Sequence, residues 1–537
     1  MDQEKLRIEK SAGAMGIATL MSRVLGLVRE QVFAHLFGAS HATDAFNIAF
    51  RIPNLLRDLF AEGAMSAAFV PTFLRVKNDQ GDKKSWRIAG LVFRVLFLFV
   101  SVLTILGVFF ADPLVSLYAS AYRAVPGKFE LTVLMTKILF PFFPLVALAA
   151  AFMAILNACG VFFIPAFSSA IFNLVSIVTG VIFVHFAPGL GFEPIIGMSL
   201  GVVFGGAAQA FMQMPELYKV GYRWSKKTSN EPVWYREPAL KRMMMLMVPG
   251  TMGLAATQIN ILVNSVLATS QGAGAVSWLN YSFRLMQFPI GVFGVSLASA
   301  TLPAFSRAWV KKDYNEATGA LTRSLRRVLA INLPAAAGLA FLGVPIIQLI
   351  FEHGKFTHED TLSTAHALAA YAVGLAAYSS VKVFVPLFYA LDNTRIPVIS
   401  SVLSVVLNLI LNLVFLKWIG FLGLPLSTSL TAIFNLAFLW IAMKVVLRKH
   451  GVKWSGAELV GPVAGFLLVS LLMGIVCSGF DSWLITVVGG SKTAQFLRVG
   501  LDVTIGVSFV FFIGRIFGFK DETQVLMRLV KRIFKHS

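Results

Sequence analysis

Charge is what this chain has least of. Only 13% of its 537 residues are Asp, Glu, Lys or Arg, against 57% hydrophobic, and its mean hydropathy is +0.77. A water-soluble globule cannot cover its surface from that stock. Cysteine is nearly absent too. Cys159 and Cys477 lie far apart without ligand-like spacing, so neither a disulfide framework nor a thiolate metal site is indicated. Long polar stretches are missing as well, which leaves no room for an ATPase or other soluble catalytic domain. No phosphate-cradling Gly loop, metal-spaced His cluster or nucleophile elbow occurs. Gly201-Val-Val-Phe-Gly205-Gly206 reads as a site of close helix packing rather than nucleotide binding. Neither an enzyme nor a cofactor is expected.

What is present is a succession of apolar runs of about 20 residues, the length that crosses a hydrocarbon core. Fourteen are expected: 11 to 37, 42 to 74, 87 to 111, 130 to 157, 161 to 186, 194 to 217, 240 to 269, 274 to 305, 324 to 351, 361 to 390, 396 to 416, 420 to 447, 457 to 479 and 494 to 518. The expected class is therefore an all-α polytopic membrane protein. The first run contains Arg23 and Arg29 and has no convincing small-residue cleavage site, so it is expected to remain as a helix.

Base exceeds acid, 46 Lys and Arg to 26 Asp and Glu, for a net charge of +20. In a soluble chain that would suggest nucleic acid. Here the positions decide otherwise. With the N-terminus inside, inner segments hold thirty Lys and Arg, while outer loops hold five: Arg123, Lys128, Lys355, Lys417 and Lys492. That alternation follows the positive-inside rule and predicts cytoplasmic termini and no nucleic-acid partner.

The chain also repeats itself at an offset near 232. Asn47-Ile-Ala-Phe-Arg51-Ile matches Asn280-Tyr-Ser-Phe-Arg284-Leu, Val70-Pro71-Thr-Phe73 matches Leu302-Pro303-Ala-Phe305, and Ile164-Pro165-Ala-Phe-Ser168-Ser169 matches Ile396-Pro397-Val-Ile-Ser400-Ser401. Six spans separate the copies, so both enter the membrane in the same direction. Two parallel six-helix repeats around a central cavity, plus two extra helices, are expected. The domain scheme is an N-lobe at 1–218, a cytoplasmic linker at 219–239, a C-lobe at 240–447, and helices 13 and 14 with a cytoplasmic tail at 448–537.

Several bases fall inside the spans. Arg94, Lys444, Arg498 and Arg515 sit near ends and read as snorkelling. Arg23, Arg29, Arg51, Arg57 and Arg284 lie deeper, where an Arg costs about 2.5–3.5 kcal/mol on insertion scales. In the second span Asp44, Asn47, Arg51, Asn54, Asp58 and Glu62 recur every three or four residues and share one helix face. Such a stripe must meet water, another polar helix or a substrate. Pro53 beside it predicts a kink, which would let Arg57 reach the same cavity. The alternative is a salt-bridge network in which the acids neutralise the arginines. Because Arg suits bidentate phosphate binding, the residues alone predict a transporter of an anionic amphiphile.

Ser22-Arg23-Val-Leu-Gly-Leu-Val-Arg29-Glu30, Thr43-Asp44-Ala-Phe46, Arg51-Ile-Pro53-Asn54-Leu-Leu-Arg57, Phe60-Ala-Glu62-Gly-Ala64, Phe69-Val-Pro71 and Tyr281-Ser-Phe283-Arg284-Leu-Met-Gln-Phe-Pro289-Ile-Gly-Val292 resemble the MurJ (MviN) family. The resemblance extends over the whole chain. It implies the fold of the multidrug/oligosaccharidyl-lipid/polysaccharide exporter superfamily and a role in peptidoglycan biosynthesis. The cargo would be lipid II, carried from the cytoplasmic to the periplasmic leaflet by alternating access; membrane lipids and the peptidoglycan synthesis machinery would be the other partners. A flippase for another anionic polyprenyl-linked saccharide is the alternative.

The family's essential arginines fall on Arg23, Arg29, Arg57 and Arg284. Glu30 joins the acidic and amide residues of the stripe as a cavity or gating residue, and the extra helix pair would hold the polyprenyl tail. The family's usual aspartate beside the second-lobe arginine is Phe283 here. Some relatives bind sodium at positions matching Asn264, Asn408, Asn412 and Thr428, but with aspartates where this chain has Asn264 and Asn412. Only a weak sodium site is expected from that set.

Overall fold

In hydrocarbon no water is available to pair exposed backbone groups, so a spanning chain must satisfy its own N–H and C=O groups. The computed structural model, which describes residues 2–59, 63–223, 237–489 and 491–516, accordingly contains helices and no strands among those residues. The first helices are α1 (Asp2–Phe37), α2 (His41–Arg57), α3 (Gly63–Gln80), α4 (Asp82–Phe109), α5 (Ala111–Ala119), α6 (Lys128–Leu139), α7 (Phe142–Ala158), α8 (Phe163–Phe186), α9 (Ile195–Lys219) and α10 (Pro238–Ala268). Then follow α11 (Ala275–Pro289), α12 (Val295–Val310), α13 (Tyr314–Phe341), α14 (Gly343–Phe351), α15 (His358–Ala372), α16 (Leu375–Ala390), α17 (Arg395–Ile419), α18 (Gly423–Lys449), α19 (Val460–Val488) and α20 (Lys492–Ile516).

Eight helical stretches among the described residues are long and apolar enough to cross a membrane, or ten if each of two bent helix pairs counts as one span. One of the eight, Arg395–Lys449, has 55 residues. It consists of α17, a short 3-10 turn at Gly420–Leu422 and α18, and the two helices pack on one another. At 1.5 Å per residue that length is about 80 Å, enough for two crossings. The expected spans 11 to 37, 42 to 74 and 240 to 269 coincide with α1, with α2 and α3 together, and with α10.

Some expected spans are less continuous than the hydropathy suggests. The fourth is α6 and α7, interrupted at Pro141, which has no N–H to continue the hydrogen-bond ladder. The ninth is α13 and α14, bent by 72°, and the tenth is α15 and α16, bent by 44°. The expected outer loop after the third span is itself helical, as α5 followed by a 3-10 turn at Ser120–Ala124.

Element boundaries recur along the chain. α4 and α13 are both 28 residues long and start at Asp82 and Tyr314; α5 and α14 are both 9 residues long and start at Ala111 and Gly343. α8 and α17 begin at Phe163 and Arg395, and the 3-10 turns after them at Pro188 and Gly420. Every one of these pairs is separated by 232 positions, the offset of two of the three sequence matches and one less than that of Asn47 to Asn280.

By their contacts the residues form two compact units, Met1–Val276 and Ser277–Ser537. In the first, Phe69, Phe73, Phe93, Phe143 and Phe152 build one core between α3, α4 and α7, closed by Tyr222. In the second, Phe305, Leu325, Phe384 and Phe388 occupy the corresponding place between α12, α13 and α16, closed by Trp454. Gly201 and Gly205 set the approach of α9 to α8: a Cβ on Gly201 would stand 2.6 Å from Ser176 O, and one on Gly205 2.1 Å from Ser176 Oγ. That close approach is the packing role expected of the glycine pattern.

Candidate functional site: the charged residues of the spans

α2 begins with Ser40, whose hydroxyl accepts a bond from Thr43 N–H at 3.4 Å, and carries Asp44 in its first turn, where a negative charge complements the helix dipole. Asp44 does not line an open surface. It is fully buried, 3.1 Å from Lys128 Nζ, and its Oδ2 also accepts Gly274 N–H at 2.8 Å. The Lys128 ammonium stands 3.9 Å from the centre of the Tyr122 ring and 3.3 Å from His41 Nδ1. Burial pushes the Tyr122 phenol pKa well up, and the negative Asp44 raises it further. Lys128, expected as an outer-loop charge, is instead the first residue of α6 and 5% exposed. Its ion-pair partner lies 84 residues away in the sequence.

Farther along the stripe Asn47, Arg51 and Asn54 are half-buried. Asp58, which caps α2, is a hub. Its Oδ1 accepts Arg57 Nε at 3.1 Å and Nη2 at 2.8 Å; its Oδ2 accepts Gln258 Nε2 from α10 at 3.0 Å and Asn54 Nδ2 at 3.4 Å. Gln258 was not singled out in the sequence, although it lies with Asn260 and Asn264 among three amides in seven residues of a membrane helix, the kind of signal that marks such a contact. Two residues farther on, the buried Asn260 Oδ1 has no hydrogen-bond partner among the described residues. Glu62 lies outside the described residues.

On α1, Arg29 and Glu30 are each 7% exposed and paired with one another, Arg29 Nη2 to Glu30 Oε1 at 3.1 Å. The same guanidinium lies 5.4 Å from the Phe172 ring centre. Arg23, two turns earlier, is exposed. Of the stripe acids, Asp58 pairs with an arginine, Arg57, and Asp44 with a lysine, while Arg29 pairs with Glu30, which lies outside the stripe.

In the second unit Arg284 is exposed on α11. Phe283 beside it packs on Tyr371, with ring centres 5.4 Å apart, so this position makes an aromatic contact. Of the four residues considered for sodium, Asn264 is half-buried on α10 in the first unit. Asn408 and Asn412 on α17 are fully buried, and Asn412 Nδ2 donates to Asn408 Oδ1 at 2.8 Å. Thr428 Oγ1 donates to Leu424 O at 2.8 Å. No group of three or more His, Cys, Asp or Glu residues suited to a metal occurs among the described residues.

Residues 33–489 match the family model described as Lipid II flippase MurJ. The lipid II flippase MurJ of Burkholderia cenocepacia is 37% identical over 435 residues, covering 81% of this chain and 82% of that protein. A solved structure of lipid II flippase MurJ in an inward closed conformation superposes with a TM-score of 0.75 at 27% identity, over 94% of this chain and 98% of the other. An inward-facing multidrug resistance MATE family transporter of the MOP superfamily gives a TM-score of 0.68 at 14% identity, over 82% and 99%, a likeness of fold.

Proposed function

We infer the function from one premise: this chain belongs to the MurJ family of lipid II flippases. It is a multi-pass membrane protein that moves lipid II across the bilayer and so serves peptidoglycan biosynthesis.

The finer reading is our proposal. Fourteen membrane spans are arranged as two parallel six-span lobes around a central cavity, with α19 and α20 as the added pair; the recurrence of helix boundaries at an offset of 232 positions supports the repeat. Both termini are cytoplasmic, in keeping with the distribution of Lys and Arg. Lipid II passes from the cytoplasmic to the periplasmic leaflet as the lobes alternate, with Arg23, Arg29, Arg51, Arg57 and Arg284 receiving its pyrophosphate and neighbouring groups.

The observation that carries the arginine assignment is the pairing of Arg29 with Glu30 and of Arg57 with Asp58. A bare guanidinium inside a membrane protein is costly. An adjacent carboxylate holds it in place and keeps the empty site near neutrality. A pyrophosphate, which carries more charge and more acceptor oxygens than one carboxylate, can then displace that partner without any new cation being brought in.

The test is lipid II accessibility at the outer surface of cells depleted of their own flippase and supplied with this chain. Restored accessibility, lost in Arg29→Ala and Arg57→Ala at equal protein levels, is expected. Restored transport with both variants fully active would overturn the arginine assignment, and no restoration by the parent chain would overturn the cargo.

A further inference from the structure

The last two helices hold a charged cluster that plays no part in the route proposed above. Of the residues of α20, Ala494, Arg498, Asp502, Gly506, Val510 and Gly514 are buried, four apart throughout, and therefore form one seam. It packs on α19, where Cys477 Sγ lies 3.6 Å from Asp502 O. Two acids meet one base there. Arg498 donates Nε at 3.0 Å and Nη2 at 2.7 Å to the same oxygen, Asp481 Oδ1. Asp502, one turn along from Arg498, is fully buried, and neither of its carboxylate oxygens has a hydrogen-bond partner among the described residues. The acid that acts on it across the seam is Asp481.

Two carboxylates cannot donate to one another, and an ionised carboxylate buried without a donor is strongly disfavoured. One proton resolves both difficulties. It converts the contact into an O–H···O bond and leaves a single negative charge opposite the Arg498 guanidinium. Among the described residues no other charge does that work nearby: α14, which also packs on α20, has no ionisable side chain, and the charged residues of α13 (Glu316, Arg323, Arg326 and Arg327) lie in its first half. The remaining neighbour is the Cys477 thiol, whose bond goes to the Asp502 backbone.

We propose that Asp481, Arg498 and Asp502 form a proton-binding site in the seam between α19 and α20, holding one exchangeable proton on the Asp502 carboxyl. The proton is taken from water and returned to water, and no other bond changes. With it, the cluster is neutral and the seam closes without solvent. Without it, the cluster carries one net negative charge, so the separation or hydration of α19 and α20 follows proton release.

Infrared spectroscopy on the purified full chain in lipid nanodiscs tests this without reference to transport. The parent is expected to show the carbonyl stretch of a protonated carboxyl, shifted by deuterium exchange and lost as pH rises. Asp502→Asn should abolish the pH-dependent band. Asp481→Asn should weaken it, because it frees Arg498 to pair with Asp502 and hold that carboxyl ionised. Circular dichroism and elution profile establish that both variants fold. A band absent from the parent at every pH, or unchanged in either folded variant, would overturn the proposal.

Discussion

Lys128 and Asp44 form a buried ion pair at 3.1 Å between the first residue of α6 and the first turn of α2, with Gly274 N–H closing on the same carboxylate oxygen. The position 232 residues after Lys128 is Asp360, which accepts Trp278 Nε1 from α11 at 2.9 Å. α2 and α6 are thus tied by opposite charges, and α11 and α15 by a charge-assisted hydrogen bond to an indole.

Removing one partner of a buried pair strands the other, a loss of about 3–5 kcal/mol. Asp44→Asn and Lys128→Met are each expected to lower the thermal unfolding midpoint in detergent well below that of the parent. The double replacement Asp44→Leu with Lys128→Met should recover much of the loss, since no charge remains buried. If the double variant fell by the sum of the singles, the pair would not be the cause.

The arginines separate by the geometry each uses. Arg57 presents both Nε and Nη2 to Asp58 Oδ1, a fork that an ammonium does not reproduce, so Arg57→Lys should fail to support growth in flippase-depleted cells. Arg29 uses a single Nη2 contact in its pair, so Arg29→Lys should retain partial function while Arg29→Ala fails. Equal behaviour of the two Lys variants, at equal protein levels, would count against a forked role for Arg57.

Water access should follow the lower part of the α2 stripe only. In a chain lacking Cys159 and Cys477, single cysteines at positions 47, 51 and 54 are expected to react with a membrane-impermeant thiol reagent. A cysteine at position 44 should stay silent because Asp44 is fully buried. Leu98, exposed on α4, serves as a lipid-facing control. Uniform protection of all the stripe positions would rule out a hydrated face on α2.

Gly201 and Gly205 are expected to tolerate nothing larger. A Cβ on Gly201 meets backbone of α8 at Ser176 and Gly180, which cannot move aside as a flexible side chain would. Gly201→Ala should destabilise by about 1–3 kcal/mol, an overpacking cost read from the unfolding midpoint. Gly189→Ala, which meets nothing within 4 Å, is the neutral comparison.

The fold was legible where physics is local. Apolar length placed the helices, and the matches of Pro71 to Pro303 and Pro165 to Pro397 gave the offset at which α4 and α13 begin and end. The bend between α13 and α14 was not legible, because hydropathy counts apolar residues and is blind to direction. In the site, the stripe period correctly put Asn54 and Asp58 on one face, but nothing along α2 indicates that Asp44 would find Lys128 or that Asp58 would find Gln258. Those contacts are made by tertiary packing over 84 and 200 residues. Asp502 escaped notice for a related reason, since a single acid four residues from an Arg looks self-neutralised until Asp481 takes that Arg.

The energy source should be the membrane potential rather than sodium. A sodium ion needs several oxygen ligands and, in a low-dielectric site, a compensating negative charge. Asn408, Asn412 and Thr428 supply none, and two of their groups are engaged already: Asn408 Oδ1 accepts from Asn412 Nδ2, and Thr428 Oγ1 donates to Leu424 O. A bound sodium would have to take over the Asn408 carbonyl oxygen. By contrast, moving the negative headgroup outward from a negative interior is favoured by about 2.3 kcal/mol per charge per 100 mV. In spheroplasts, replacing sodium with potassium is therefore expected to leave the flipping rate unchanged, while collapse of the potential slows it. Asn412→Asp, which places a carboxylate beside the Asn408 side-chain oxygen, is expected to create sodium dependence. A parent chain that stops in potassium and continues without a potential would reverse this assignment and make the neutral asparagines sodium ligands in their own right.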